Sequence, residues 1–509
     1  MGIIIKQSIK GTIVNYIGVA IGFITTFFVI TSYLSQEEVG LTRVLIDAGT
    51  LLASLSQLGT GASILRFFPY FKDEENKHHG FFFFTIVVPF LGFLIFSAVY
   101  LLFKNTIVQA FSENSSLFVN YFHYVIPLAL FMLYQYVFEA NANVLMRIVV
   151  PKFVREVGVR VGLLVIYILY GHHLINLDGL VIGFCITYFL AALVDIIYLF
   201  TLQKISLKPD FKFITKPLRR DFLFYTIFLV MAAIAGTVTP LLSSFFVTAQ
   251  MGLAFTGIFA IANYISAVVE IPNRSLNAIV QPNLSEAVKN KEWDRAENLC
   301  KSVSLHLLLS STFIFFLICI NVDLLFMILR NGKDYVTGIS VIFILGTSRL
   351  LSSTFSISAS ALTYSKYYYM TLVFTLLLTV SIIVLNILLI PKWGMNGAAF
   401  ANLLANFVYY LFLLFLLKWK LNISLFSKAQ LKVVLIIFFM FGLNMLFFKT
   451  LTPHILQISS HSLLMAILEG TFRSLVMLGT GIVLVYAWHV SDDVNKLIDK
   501  TIGFVRKRK

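Results

Sequence analysis

Charge is scarce in this chain. Only 12 % of its 509 residues are Asp, Glu, Lys or Arg, against 59 % hydrophobic, and the mean hydropathy is +0.89. Soluble domains carry about 25 % charged residues. Polar residues are therefore too few to cover a water-soluble core of this length, and lipid is the solvent left for the apolar surplus. Cysteine is nearly absent: Cys185, Cys300 and Cys319 are scattered, with no metal-ligand or redox spacing and no disulfide framework. They read as helix filler. The histidines form no ligand set, and the dipeptides His78-His79 and His172-His173 read as solvated loop residues. No hydrolase, kinase, dinucleotide or phosphate-loop motif occurs, and the loops leave little scaffold for a catalytic centre. Neither an enzyme nor a metal or cofactor is expected.

What is present is a succession of apolar runs. A spanning helix needs about 20 mostly apolar residues. Such runs fall near 11–34, 44–66, 80–103, 117–140, 153–171, 177–200, 221–246, 253–274, 301–322, 337–363, 368–390, 396–418, 431–448 and 463–490. They predict an all-α integral membrane protein with about fourteen transmembrane helices. No small-residue cleavage site follows the first run, which predicts a permanent span and not a secretory signal. The basic segment KISLKPDFKFITKPLRR follows the sixth span and separates two six-helix lobes, 1–205 and 206–420. Two extra C-terminal helices occupy 421–490, and an amphipathic basic tail fills 491–509. Between spans eight and nine, Leu284, Val288, Ala296 and Leu299 suggest a short interfacial helix.

The halves carry a faint internal similarity. Phe27-Phe28-Val29, Gly40 and Pro69 in the first answer to Phe245-Phe246-Val247, Gly257 and Pro282 in the second. Transporters are often built from such repeats, with the substrate between them.

Lysine and arginine are distributed unevenly. With fourteen spans and both termini cytoplasmic, 31 of the 39 fall on inner segments, the inner ends of spans counted with them, and 6 on outer loops, Arg349 and Arg473 lying deeper within spans. Cytoplasmic loops carry the Lys/Arg excess, so the imbalance supports this topology and explains the net charge of +15. A nucleic-acid partner would need a basic soluble domain, and none is evident.

Ionisable residues inside spans are costly in lipid and so mark cavities or partners. They are Asp47, Glu139, Arg160, Asp195, Glu270, Arg349, Glu469 and Arg473, with Arg274 at the cytoplasmic mouth. Glu469 and Arg473 are four apart and can neutralise each other. Glu139, Asp195 and Glu270 lie in inner halves of spans, within reach of Arg155, Arg160 or Arg274. Arg349 differs: it lies near the midplane, in GTSRLLSSTFSISAS, with no acid within one helical turn. It must reach an acid on another helix or line an aqueous cavity, and the cavity is the favoured reading. Asp47 is the favoured acidic counterpart.

Residues 386–420, NILLIPKWGMNGAAFANLLANFVYYLFLLFLLKWK, resemble the span eleven to twelve region of Wzx-type polysaccharide-export flippases. The resemblance rests on Asn386, Ile390-Pro391, Gly394, Gly397, Ala398, Ala399 and Ala401. ASILRFFPYFKDE (62–74) and IPNRSLNAIVQPNLSEAVKNKEWDRA (271–296) resemble that family's second- and eighth-span exits. The family lies in the multidrug/oligosaccharidyl-lipid/polysaccharide (MOP) superfamily. The resemblance implies a MATE/MurJ-like fold whose two lobes rock about a central cavity. It also implies a flippase for undecaprenyl-diphosphate-linked oligosaccharide, such as an O-antigen or lipopolysaccharide precursor, in the bacterial inner membrane. The implied partners are that substrate, membrane lipids and polysaccharide polymerase machinery. Coupling would be to Na⁺, H⁺ or the membrane potential. The cavity candidates are then Arg349, Asp47, Arg160, Glu139, Asp195, Glu270 and Arg274. Two rivals remain at this point: a cation-coupled multidrug antiporter of the same superfamily, and a membrane polysaccharide polymerase or ligase.

Overall fold

The computed structural model describes residues 14–73, 75–202, 208–211, 213, 236–446 and 463–506. Every regular element among them is helical, as a hydrocarbon solvent demands. Lipid offers no hydrogen bonds, so a spanning segment must satisfy its own backbone. Two compact units divide the chain, Met1–Ala260 and Ile261–Lys509.

Unit 1 opens with α1 (Val14–Tyr33), which widens to a π-helix over Thr25–Ile30. Next comes α2 (Gln36–Ser56). Its start is set by a capping box: Ser35 Oγ accepts the Glu38 N–H at 3.3 Å, and the Glu38 carboxylate accepts the Ser35 N–H at 2.8 Å. This second span therefore runs earlier than the apolar run 44–66 suggested. The polar residues before position 44 supply the cap, and positive φ at Leu58 (48°) and Gly59 (69°) stops the helix and starts α3 (Thr60–Phe71). Then follow α4 (Phe81–Leu102), α5 (Lys104–Ser112), α6 (Ser116–Tyr121) and α7 (Val125–Val144). A π-turn at Val154–Gly158 joins α8 (Val149–Phe153) to α9 (Val159–Gly171). The unit ends with α10 (Leu177–Thr201), α11 (236–251) and the start of α12 (Leu253–Ala267).

The two glycines of the internal similarity meet. A Cβ on Gly40 would lie 1.9 Å from the Leu253 carbonyl oxygen, and one on Gly257 would lie 2.2 Å from that of Gln36. Only glycine lets α2 and the first turns of α12 touch backbone to backbone. Nearby, Ser115 Oγ donates to the Thr248 carbonyl at 2.8 Å and Asn114 Nδ2 to that of Ala249 at 3.0 Å.

Unit 2 continues from α12 through a 3₁₀ turn at Val268–Glu270 into α13 (Ile271–Lys289). It then holds α14 (Trp293–Ile328), α15 (Ile339–Tyr364), α16 (Tyr368–Leu421), α17 (Lys428–Asn444), α18 (Leu463–Ala487) and α19 (Asp492–Arg506). The suggested interfacial helix is instead a corner between α13 and α14. Leu284, Val288 and Ala296 enter a core with Cys300, Ile357 and Leu417, and Leu299 packs against it. Apolar side chains crowd the outside as well, Leu102 at 80 % and Phe438 at 70 % exposed. Lipid is the solvent that makes such a surface stable.

Ten helices among the described residues are long and apolar enough to cross a bilayer, so the chain is a multi-pass membrane protein. One of them, the 54-residue α16, is broken at Gly394 (φ 56°, ψ −136°). At 1.5 Å per residue it is about 80 Å long, enough for two crossings of a core about 30 Å thick. The expected fifth span is split by the π-turn, the thirteenth is the 17-residue α17, and most of the seventh (221–246) lies outside the described residues. The tail forms α19, where the Tyr486 hydroxyl donates to Asp499 Oδ1 at 2.7 Å.

Candidate functional site

In unit 2 the polar residues of α15 meet those of the α12–α13 line. Arg349, Ser352 and Ser356 recur at spacings of three and four, so they share one helical face. Opposite them stand Asn263, Glu270 and Asn273. Arg349 Nη1 donates to Glu270 Oε2 at 3.1 Å and its Nη2 to Asn263 Oδ1 at 3.0 Å. Ser352 Oγ donates to the other Glu270 oxygen at 2.6 Å, and Ser356 Oγ to Asn273 Oδ1 at 2.8 Å. The ladder is not sealed: the Arg349 side chain is 30 % exposed and that of Glu270 17 %.

Asp47 is therefore not the counterpart of Arg349. Its carboxylate takes Arg43 Nε at 2.9 Å, one turn away on α2. Nor does Glu270 pair with Arg274, which is exposed. The position of an acid along its span does not fix its partner. Which acid reaches Arg349 depends on which helices pack together, and Asn263 and Glu270, two turns apart, present their side chains to the same face of α15.

In unit 1 the charges form a chain around the π-turn. Arg155 Nη1 donates to Glu139 Oε2 on α7 at 2.6 Å, and its Nη2 and Nε reach Glu156 Oε1 at 3.0 and 3.2 Å. Arg160 Nη2 donates to Glu156 Oε2 at 3.0 Å, and its Nη1 to the Gly18 carbonyl at 2.6 Å. Of the basic residues within its reach, Arg155 is thus the one that Glu139 holds. Glu156, which holds the two arginines together, was not singled out from the sequence; its spacing of four from Arg160 was the available signal. Asp195 on α10 is fully buried, and neither carboxyl oxygen has a hydrogen-bond partner.

Other candidates settle elsewhere. Arg473 Nε donates to Asn444 Oδ1 at 2.8 Å, and Glu469 and Asp323 lie within electrostatic range. His172 and His173 are exposed, as read. His78 and His79 are not solvated. His78 is buried, and its Nδ1 accepts the Asp73 N–H at 3.2 Å. His79 stacks on Phe213 with 3.9 Å between ring centroids, its two nitrogens each 3.3 Å from Asp73 and Asp210. The Asp73 carboxyl is held below its ordinary range, first by the Asn76 side-chain amide. Among the described residues no group of three or more His, Cys, Asp and Glu could hold a metal ion.

A partly exposed arginine with one exchangeable carboxylate partner can transfer to phosphate oxygens, which suit its planar fork. The flanking amides and hydroxyls can donate to and accept from neutral polar groups.

None of the curated proteins matches this sequence. Solved structures do. The lipid II flippase MurJ, in an inward closed conformation, superposes with a TM-score of 0.72 at 16 % identity, covering 92 % of this chain and 98 % of that one. An inward-facing multidrug resistance MATE family transporter of the MOP superfamily gives 0.61 at 14 % identity, covering 77 % and 92 %. The Vibrio cholerae MATE transporter VcmN gives 0.53 at 13 % identity, covering 82 % and 99 %. These likenesses establish a MATE/MurJ-like fold, and none of the three matched proteins is an enzyme. The Wzx-type resemblance read from 386–420 is supported by this fold and by a sequence match to a family described as "Polysaccharide biosynthesis protein". Because that match spans residues 4–288, more than half of the 509, the chain belongs to the polysaccharide biosynthesis protein family.

Proposed function

We propose that the protein is a flippase that moves undecaprenyl-diphosphate-linked oligosaccharide across the bacterial inner membrane by alternating access, feeding assembly of a surface polysaccharide such as O-antigen. In this reading the lobes are 1–205 and 206–420, helices 421–490 are the added pair, and both termini are cytoplasmic. Polymerase machinery receives the product. The observation that carries the reading is the Arg349–Glu270 pair with its flanking Asn263 and Ser352. A diphosphate crossing the midplane must not be left unpaired in low dielectric. Arg349 can receive it if Glu270 yields, and Ser352 and Asn263 keep Glu270 and the arginine from being stranded. A cation-carrying antiporter would want free acids instead. Asp47 and Glu270 are both engaged by arginines, and Asp195, which has no partner, is fully buried and not open to a substrate, which favours an anionic headgroup.

Charge exchange tests this. Arg349→Glu should stop polymer export in cells. Arg349→Lys should keep part of it, since the charge survives without the bidentate fork. The double variant Arg349→Glu/Glu270→Arg restores the ion pair with its polarity reversed. If that pair is only structural, the double variant recovers both membrane abundance and export. The flippase reading expects abundance to recover while export stays low, and recovery of both would refute the role of Arg349.

A further inference from the structure

Asp195 is an intramembrane acid of unit 1 that, unlike Asp47 and Glu139, has neither an arginine nor a hydrogen-bond donor on its carboxyl oxygens. Its helix, α10, packs against α7, α9 and the π-turn. The charged groups that act on it from these elements are Glu139 on α7 and Arg155 on the π-turn; Tyr136 on α7 faces the same two charges. Arg155 is fully engaged by Glu139 and Glu156, and Arg160 by Glu156 and the Gly18 carbonyl. Two arginines and two glutamates already balance. An ionised Asp195 would add a third negative charge with no counter-charge and no donor, which burial penalises heavily. A hard metal cation would want about six oxygen ligands, and Asp195 brings two.

We propose that Asp195 is a proton-binding site. Its carboxyl carries the proton while Arg155 is bound to Glu139, and it gives the proton up when Arg155 turns to Asp195 instead. The exchange balances. The O–H bond of Asp195 breaks, the guanidinium takes the place of the proton, and Glu139, deprived of its cation, takes a proton up. The arginine thus selects which of two acids is neutral. This does not depend on what the chain transports.

The test is infrared difference spectroscopy on the full chain in lipid nanodiscs, scanned from acid to alkaline pH. At neutral pH the wild type should show a protonated-carboxyl band. Asp195→Asn, which mimics the neutral acid in size and polarity, should lose it, and Glu139→Gln, which takes away the carboxylate that holds Arg155 off Asp195, should weaken it. Should Asp195→Asn fail to fold, Asp195→Glu gives the same information through a shift of the band. A band unchanged by either Asp195 substitution would overturn the proposal, as would a wild type lacking the band at neutral pH. So would its disappearance when sodium replaces a larger cation at constant pH and ionic strength, since sodium would then be the ligand.

Discussion

In unit 2 one arginine meets one acid, and the neighbours are neutral: Asn263, Ser352, Asn273 and Ser356. In unit 1 two arginines and two acids form a chain, anchored at a π-turn and at a backbone carbonyl. Both sets are electrically neutral. They differ in how much is lost when one member leaves. Removing Glu270 from Arg349 leaves the arginine its bond to Asn263 and partial exposure. Removing Arg155 strands Glu139 and leaves Glu156 with Arg160 alone. A pair that can part cheaply suits a group that must exchange partners, whereas a redundant chain suits a fixed scaffold with a single mobile link at Arg155.

The largest expected effect tests that asymmetry. Arg155→Ala should cost about 3 kcal/mol of stability, as breaking a buried ion pair does when it leaves charge uncompensated. Arg349→Ala should cost about half as much, since Ser352 Oγ still donates to Glu270 while Glu139 loses the arginine that donates to it. Thermal melting of the purified proteins ranks the two, and equal losses would erase the distinction between exchangeable pair and scaffold. Next in size is Gly40→Val. Its side chain would drive into the Leu253 carbonyl, at a cost of about 1–3 kcal/mol from overpacking. Gly257→Val should behave alike if the two glycines form one contact, and the double variant should cost less than the sum of the singles.

Ser352→Ala removes one hydrogen bond to Glu270 and should cost about 1 kcal/mol. Export should fall modestly while the Arg349 pair persists, so measured export places Ser352 between the arginine and its surroundings. The smallest effect belongs to the tail. Deletion of 492–509 should leave export nearly unchanged at equal protein level, because α19 lies past the last spanning helix and its apolar and basic residues suit a leaflet surface. Loss of export there would move function into a region assigned to neither unit's charge network.

Much of the fold was legible from the sequence because lipid imposes simple rules. Apolar runs must be helices of spanning length, which located most of them to within a few residues. The rules fail where a helix end is made by side-chain chemistry instead of apolarity. Ser35 and Glu38 start α2 well before its apolar run, and Leu58 with Gly59 ends it early. The membership of the candidate site was mostly legible too, since intramembrane charge is rare enough to stand out. Its pairing was not. Asp47 and Glu270 were both on the page as acids, and only packing assigned one to Arg43 and the other to Arg349.

By itself, then, the sequence determined a multi-pass helical membrane protein and a short roster of charges that lipid would not tolerate unpartnered. It also marked Gly40 and Gly257 as counterparts. The tertiary structure alone decided that these glycines touch, that Glu156 bridges two arginines, that Glu270 answers Arg349, and that Asp195 is left without a partner. The reason is one of range. Hydropathy and helical spacing act within a segment of about 20 residues, whereas Arg349 and Glu270 are 79 positions apart in the chain, and only the packing of α15 against the α12–α13 line brings them within 3.1 Å.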